Sequence, residues 1–439
     1  MMSLEQTAQQ VIQVLKRHKV SDYEMSLSSS SGVSTAVRLG KVETLEYHLD
    51  KSLDINVYMG HAKGHASSVD LSESGILKTV ESACLIAKYT QHDPFSGLAP
   101  KELMAFEVPD LDLYHPWELD PSHSIDLATR CESQALEYGA IDNSDGAEVS
   151  SYQGEGLYAN SNGMMSIQKG AKHSLNCSVI AKQGKDMQTA YEYTLALDAQ
   201  DLQTPEWVGD HVAKIAISKL GARSLAAQKC PVIFSPRVSG GLFSQLISAL
   251  GGSRQYKKST FLLNSIEQLV LPDALSILEN PLVQKTIGAK AFDRDGVLKR
   301  KQHFVKDGRV QSYVLSQYSA NQLGLQTTAN AGGVNNLIIE HQYSGGLDDM
   351  IKSMDKGLVV TELMGQGVNG TTGDYSRGAT GFWVEHGEIQ YPVSGITIAG
   401  NLKDMLLGIE HVGTDVDHRG NIKVGSVLIN QMTIAGEGE

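Results

Sequence analysis

Few side chains in this sequence stand at spacings that chemistry would use. His61 and His65 are four apart. On a helix they would share one face and one metal ion. Their setting reads as a strand end, where residues i and i+4 are roughly 13 Å apart, so they read as surface histidines. Asp415, Asp417 and His418 form an Asp-x-Asp-His cluster beside Arg419-Gly420. Two carboxylates and an imidazole can hold a divalent cation if a distant ligand such as His411 joins them. With an arginine adjacent and glycines on both sides, an acidic turn is the plainer reading. Ser67, Ser68 and Asp70 lack the strand–turn–helix elbow that exposes a nucleophilic serine. Cys84, Cys131, Cys177 and Cys230 lie far apart with no C-x-x-C pair, a pattern that fits a reducing cytoplasm better than a disulfide framework.

The densest backbone signal runs from Glu362 to Gly378, with glycines at 365, 367, 370, 373 and 378 between two apolar, β-branched segments. Such density lets a chain turn sharply and approach another backbone closely. Gly365-Gln366-Gly367-Val368-Asn369-Gly370 superficially matches a dinucleotide loop, but no βαβ unit surrounds it and no helix follows it, so that reading fails.

The elements that must position these residues can be outlined. Ser3 and Gln6 form a candidate capping box ahead of a helix carrying Leu4, Ala8, Val11, Ile12 and Leu15 on one face. From Tyr23 to Ser68 the pattern is strand-like, with Gly40-Lys41 as a hairpin turn between Thr35–Leu39 and Val42–His48, and Leu53–Met59 as the next strand. A helix with Ile76, Val80, Ala83, Cys84 and Ala87 follows. The fold class expected is α+β: an N-terminal, sandwich-like region with antiparallel strands over residues 1–99, a Pro-rich linker at 100–120, a central α+β segment at 121–225 packing with the first, and a β-rich domain at 226–439 with a few helices. The central segment shows a helix around Ile125–Tyr138, long strands from Glu148 to Leu197 turning at Asn162-Gly163, and a helix opened by Thr204-Pro205-Glu206 and closed by Gly221. Cys230–Phe234 starts the last domain as a strand. Asp307-Gly308 marks a hairpin, and helices are expected only around Val238–Leu250, Leu347–Lys356 and Leu402–His411.

Several of these stretches together resemble the TldD/PmbA metalloprotease family, the "modulator of DNA gyrase" proteins, in its PmbA (TldE) branch. The similarity is carried by Val37–Glu43, Gly64–Leu71, Asp93–Ala99, the run Glu362–Gly378, Pro392-Val393-Ser394 and Thr397–Leu402, and it spans nearly the whole chain. In the catalytic branch a helix after the first strand of the C-terminal domain carries H-E-x-x-x-H. Its two histidines bind a divalent metal, and a distant cysteine completes the site. Metal-bound water then loses a proton near neutral pH to the glutamate. Here Ser244 and Ala249 stand at the histidine positions and Gln245 at the glutamate. Alanine ligates nothing, neutral serine is a poor ligand, and glutamine has no carboxylate to take a proton. Residues 231–302 contain no His or Cys, and no cysteine follows Cys230. Leu242, Leu246, Ile247 and Leu250 instead make an apolar stripe suited to core packing.

The resemblance therefore implies a subunit with no catalytic residues, metal site or cofactor of its own, paired with a TldD-like subunit that binds zinc. It implies processing of small or unfolded peptides, including microcin-like peptide maturation and antitoxin degradation, with any gyrase link running through a processed peptide. A subunit of this kind can complete a chamber wall and offer a strand edge to an extended chain. Gly365, Gln366, Gly367, Asn369, Thr372 and Asp374 are the candidate substrate-binding residues, the alternative being that the glycines only serve tight turns or domain packing. Because relatives share a fold, the isolated chain is expected to form a homodimer that imitates the heterodimer. Two rival readings remain: a self-sufficient metallopeptidase using Asp415, Asp417, His418 and His411, and a non-enzymatic binding or scaffold protein.

Composition bounds the rest. The 439 residues exceed one ordinary core, and 41% apolar with 20% charged residues is ordinary for a globular chain. The net charge of −13 opposes phosphates, so no nucleic-acid partner is expected; Arg254, Lys257 and Lys258 read as a solvated loop. The opening residues show no basic segment before an apolar core, and no apolar run approaches ~18 residues, so neither a secretion signal nor a membrane span is expected.

Overall fold

The computed structural model describes residues 2–436. Helix α1 (Leu4–Leu15) begins with the capping box, Ser3 and Gln6 each accepting the other's backbone N–H at 3.2 and 2.9 Å. Strands β1 (Asp22–Arg38), β2 (Lys41–Met59) and β3 (Ala62–Ser68) lead to α2 (Glu73–Tyr89) and α3 (Pro121–Leu136). Strands β4 (Ile141–Asn160), β5 (Met165–Gln183) and β6 (Asp186–Ala196) follow, then α4 (Pro205–Ser218).

All six strands form one antiparallel sheet in the order β3-β2-β1-β4-β5-β6. Residues 22–196 thus share a single sheet, with β1 bonded to β4 along most of its length. Side chains alternate across it. At odd positions of β1 and β2, Leu27, Val33, Leu53, Ile55 and Val57 turn toward the helices and are buried. One end of that face is covered by α1 and α2, through Ile76, Val80 and Ala83. The other end is covered by α3 and α4, through Ala128, Cys131, Val208 and Val212. The N-caps follow the expected chemistry: Thr204 accepts from the Trp207 N–H and Asp120 from that of His123.

Two expectations in this half are corrected. The first hairpin turns at Leu39-Gly40, not Gly40-Lys41, with both residues at positive φ (48° and 69°); a two-residue turn of this hand needs that at both places. Val42–His48 and Leu53–Met59 are parts of one strand, because β2 stays paired with β1 through Asp50, Lys51 and Ser52. The Pro-rich stretch at 100–120 has one short turn, Lys101–Leu103, and does not hang free. Its Met104, Ala105 and Leu111 are buried against Tyr158, Phe292 and Val297.

The C-terminal half runs β7 (Gln228–Phe234), α5 (Pro236–Ala249), α6 (Gly252–Tyr256), β8 (Ser276–Glu279), β9 (Gln302–Lys306), β10 (Arg309–Val310), α7 (Gln317–Leu323), β11 (Leu337–Glu340) and α8 (Leu347–Ser353). It ends with β12 (Lys356–Met364), β13 (Asp374–Glu385), β14 (Glu388–Asn401), α9 (Leu402–Leu407), β15 (Ile409–Val412), β16 (Ile422–Lys423) and β17 (Val427–Gly436). One sheet is ordered β14-β13-β12-β7-β17-β15, and β14 also pairs with β17. That extra pairing closes five strands into a ring, which removes their edges. The second sheet is β10-β9-β8-β11-β16. A large core joins them, with Phe234, Leu246, Trp383 and Ile429 all buried.

Helices α6 and α7 were not expected from the sequence. The two later helices are shorter than expected, because Lys356 opens β12 and residues 409–411 belong to β15. Among the described residues no helix is long and apolar enough to cross a membrane.

Candidate functional site

A cleft lies where β6, the edge strand of the first sheet, meets the start of α5 and the loop after β15. Strand β7 delivers Ser235 as N-cap and Pro236 at the first helical position, which places Arg237 at the mouth. Two adjoining cavities of about 460 and 450 Å³ share Pro236, Arg237 and Asp417 in their linings. Lys219, Glu362, Phe382 and His418 line the first; Tyr193, Ser244 and Asn421 line the second.

The wall of the cleft is an ionic lattice. Glu192 of β6 is buried and lies between two guanidinium groups, with Arg237 Nη1 at 3.2 Å and Arg419 Nη1 at 2.6 Å. Arg419 also grips Asp417 through Nε and Nη2, at 3.0 and 2.8 Å. Burial pushes the Asp417 carboxyl up, but hydrogen bonds and charge from Arg419 outweigh it and hold the group below its ordinary value. Arg237 and Arg419 stack over the rings of Tyr191 and Tyr193, at 4.2 and 4.3 Å to the centroids.

The same cations close the sheet. The carbonyls of Thr189, Tyr191 and Tyr193 accept from Lys219 (2.8 Å), Arg237 (2.7 Å) and Arg419 (2.9 Å). An edge strand normally leaves such carbonyls open to another chain. This stretch of β6 has its acceptors already taken, so the cleft can hold a chain through its lining side chains rather than by adding a strand to β6. Lys219 is buried and also bonds Glu362.

The expected site residues are distributed as follows. Ser244 is exposed and lines the second cavity, Gln245 is half-buried, and Ala249 is buried in the core with Leu242, Leu246 and Leu250. Positions 244 and 249 therefore do not face one cavity, and this donor set does not fit a zinc ion. The two carboxylates of the Asp-x-Asp-His cluster are likewise engaged, while His418 lines the first cavity. Asp415 accepts from Ser426 Oγ (2.7 Å) and the Ser426 N–H (3.1 Å), Asp417 serves Arg419, and His411 stacks on Tyr343 at 4.2 Å. Among the described residues no group of three or more His, Cys, Asp or Glu side chains is placed to hold a metal ion. His61 and His65 are engaged separately, with the Ser96 carbonyl and with Asn56.

The glycine-rich run is the loop between β12 and β13. Neither cleft cavity is lined by Gly365, Gln366, Gly367, Asn369, Thr372 or Asp374. These residues are exposed but largely bonded to one another. Asn369 accepts from the Thr371 and Thr372 N–H groups, and the Thr372 hydroxyl donates to Asp374 at 2.5 Å. At Gly367 a Cβ would sit 1.7 Å from the Ser376 carbonyl oxygen. This glycine is required by the hairpin itself, whatever else the loop does. Arg237, Glu192 and Lys219 escaped sequence reasoning, because Glu192 is 45 and 227 residues from its two arginines. The available signal was Tyr191-Glu192-Tyr193, an acid flanked by two aromatic residues on a strand.

Comparison with known proteins gives a consistent result. Three family models match the chain: PmbA/TldA metallopeptidase domain 1 over residues 23–87, the central domain over 114–220 and the C-terminal domain over 227–436. The chain is 48% identical over 415 residues to the metalloprotease PmbA of Escherichia coli O157:H7, covering 94% of this chain and 92% of that one. A crystal structure from Bacteroides thetaiotaomicron, described as a modulator of DNA gyrase, superposes with a TM-score of 0.94 at 25% identity, covering 99% of this chain and 100% of that one. TldE from Thermococcus kodakarensis shares the fold, with a TM-score of 0.82 at 19% identity over 98% and 100% of the two chains.

Proposed function

Because the chain belongs to the PmbA/TldA metallopeptidase family, we propose that it is the PmbA/TldE-type subunit of a TldD/TldE-type protease and contributes geometry rather than chemistry. The observation that carries this reading is the helix α5. Where the catalytic branch needs two histidines and a glutamate, this helix offers Ser244, Gln245 and the core residue Ala249. Hydrolysis then resides in a TldD-like, zinc-binding partner in the cytoplasm, and the substrates are small or unfolded peptides.

In that assembly the cleft beside α5 is one wall of the substrate chamber. Its lattice of Glu192, Arg237, Arg419 and Asp417 is satisfied internally and stays rigid, so it can shape access without binding a charged group tightly. The glycine loop after β12 is a second exposed surface, available to the partner or to a peptide backbone.

Elemental analysis of the purified, dialysed chain tests the reading. It should retain no stoichiometric zinc or other transition metal. One metal per chain, lost in the His418→Ala variant, would overturn it in favour of a self-sufficient metallopeptidase.

A further inference from the structure

The charged side chains that line the first cavity of the cleft already have partners. Glu192 holds Arg237 and Arg419, Arg419 holds Asp417, and Lys219 holds Glu362. Asp415 accepts from the Ser426 hydroxyl at 2.7 Å and from the Leu347 N–H at 3.3 Å. A ligand carboxylate would have to draw an arginine away from Glu192. A ligand ammonium would have to draw Glu362 away from Lys219. Either exchange strips a buried side chain, Glu192 or Lys219, of its counterion, which is strongly unfavourable. The cavity therefore rejects charge of both signs.

Two uncharged polar groups of the same lining have no hydrogen-bond partner among the described residues. One is the imidazole of His418. Its backbone is fixed from behind, because the His418 carbonyl accepts from the ammonium of the buried Lys423 at 2.6 Å. The other is the hydroxyl of Ser235, a residue only 6% exposed. Serine at an N-cap ordinarily accepts an N–H of its own helix. Here the Val238 and Ser239 N–H groups go to the Ser235 carbonyl, at 3.0 and 2.9 Å, and the hydroxyl makes no cap bond. A buried hydroxyl without a partner is uncommon in a folded protein. The apolar part of the lining comes from four different elements. It consists of Ile215 of α4, Pro236 of α5, Phe382 of β13 and Val416 of the loop after β15, all half-buried.

We propose that this cavity, of about 460 Å³, binds an uncharged amino-acid residue of a peptide, one with an apolar side chain. A backbone amide carries one donor and one acceptor, and a neutral imidazole and a hydroxyl can each play both roles toward it. The four apolar side chains take the side chain of the bound residue. Pockets of this size, mostly apolar with a few placed polar groups, are the usual form of small-ligand sites. The inference names the ligand of the cleft described above as a chamber wall and rests on that reading for its biological use. Binding itself needs neither a partner subunit nor a metal.

Isothermal titration of the full-length chain, alone and without zinc, tests it. The probe is N-acetyl-phenylalaninamide, with the N-acetyl amides of aspartate and lysine as charged counterparts. The phenylalanine probe should bind saturably, and each charged probe at least tenfold more weakly. His418→Ala should weaken the phenylalanine probe about tenfold, the loss of one hydrogen bond. It should melt like wild type, because the ring is exposed and unbonded. Val416→Phe fills the apolar part of the cavity and should abolish binding. No saturable binding to wild type would overturn the proposal. So would charged probes that bind as tightly as the phenylalanine probe, or an affinity unchanged by both His418→Ala and Val416→Phe. The metal content of the chain and cleavage by mixed subunits are read separately, so failure of the protease reading is distinguishable from failure of this one.

Discussion

At the scale of single residues, the most perturbed acids lie outside the cleft, where the segment after Phe292 packs on Tyr158. Burial and the nearby Asp293 and Glu24 push the Asp295 carboxyl up to about 7, while it accepts the Gln317 N–H at 2.8 Å. Lys63, bonded to Glu24 at 3.5 Å, pulls the other way but more weakly. In the unfolded chain the group ionises near its usual value of 3.8. Between that value and about 7 the folded chain keeps a proton that the unfolded chain has released, so stability falls as pH rises through this window and levels off above it. Asp295→Asn keeps an acceptor for Gln317 and removes the charge. It should melt higher than wild type at pH 8, with the gap closing toward pH 4. Equal melting temperatures at pH 8 would show that the carboxylate is not strained. None of this was legible in the sequence, because Asp295, Glu24 and Lys63 are brought together only by the docking of the C-terminal half on the sheet. That Ser244, Gln245 and Ala249 carry no imidazole or carboxylate was legible, because residue type needs no coordinates.

At the scale of elements, the loop between β12 and β13 separates two demands on glycine. At Gly367 a Cβ would collide with the Ser376 carbonyl, whereas at Gly365 the space is open and only the positive φ of 79° is unfavourable. Gly367→Ala should cost about 1–3 kcal/mol, and Gly365→Ala about 1–2 kcal/mol. Denaturant midpoints will rank them, with Gly367→Ala the lower; a Gly367→Ala midpoint equal to wild type would contradict the close approach. A bulky residue at Gly367 therefore reports on the hairpin before it reports on substrate. Helices were read well where a cap marked them, as in α1 and α4. The misses have physical causes. Leucine at a positive φ is rare, which hid the Leu39-Gly40 turn. Helix α7 carries a Ser316–Ser319 capping box and Gly324 as a left-handed C-cap, but it is only seven residues long and half polar, so no periodicity announced it.

At the scale of the whole molecule, the first sheet and the C-terminal half meet at the cleft beside α5. The ring of β7, β12, β13, β14 and β17 backs α5, and the apolar stripe of that helix is committed to the core. The cleft and the glycine hairpin are both exposed to solvent. The α+β class and the family were legible from the sequence, but the sharing of one sheet across residues 22–196 was not, because the pairing of β1 with β4 spans more than a hundred residues. The measurement that tests the account most directly is cleavage of an unfolded peptide, in the presence of zinc, by this chain alone, by a TldD-type subunit alone and by the two mixed. The account predicts no turnover by this chain alone, turnover by the mixture above that of the TldD-type subunit, and the same turnover when the mixture contains Gln245→Ala. Cleavage by this chain alone, or its abolition by Gln245→Ala in a folded and assembled complex, would contradict it.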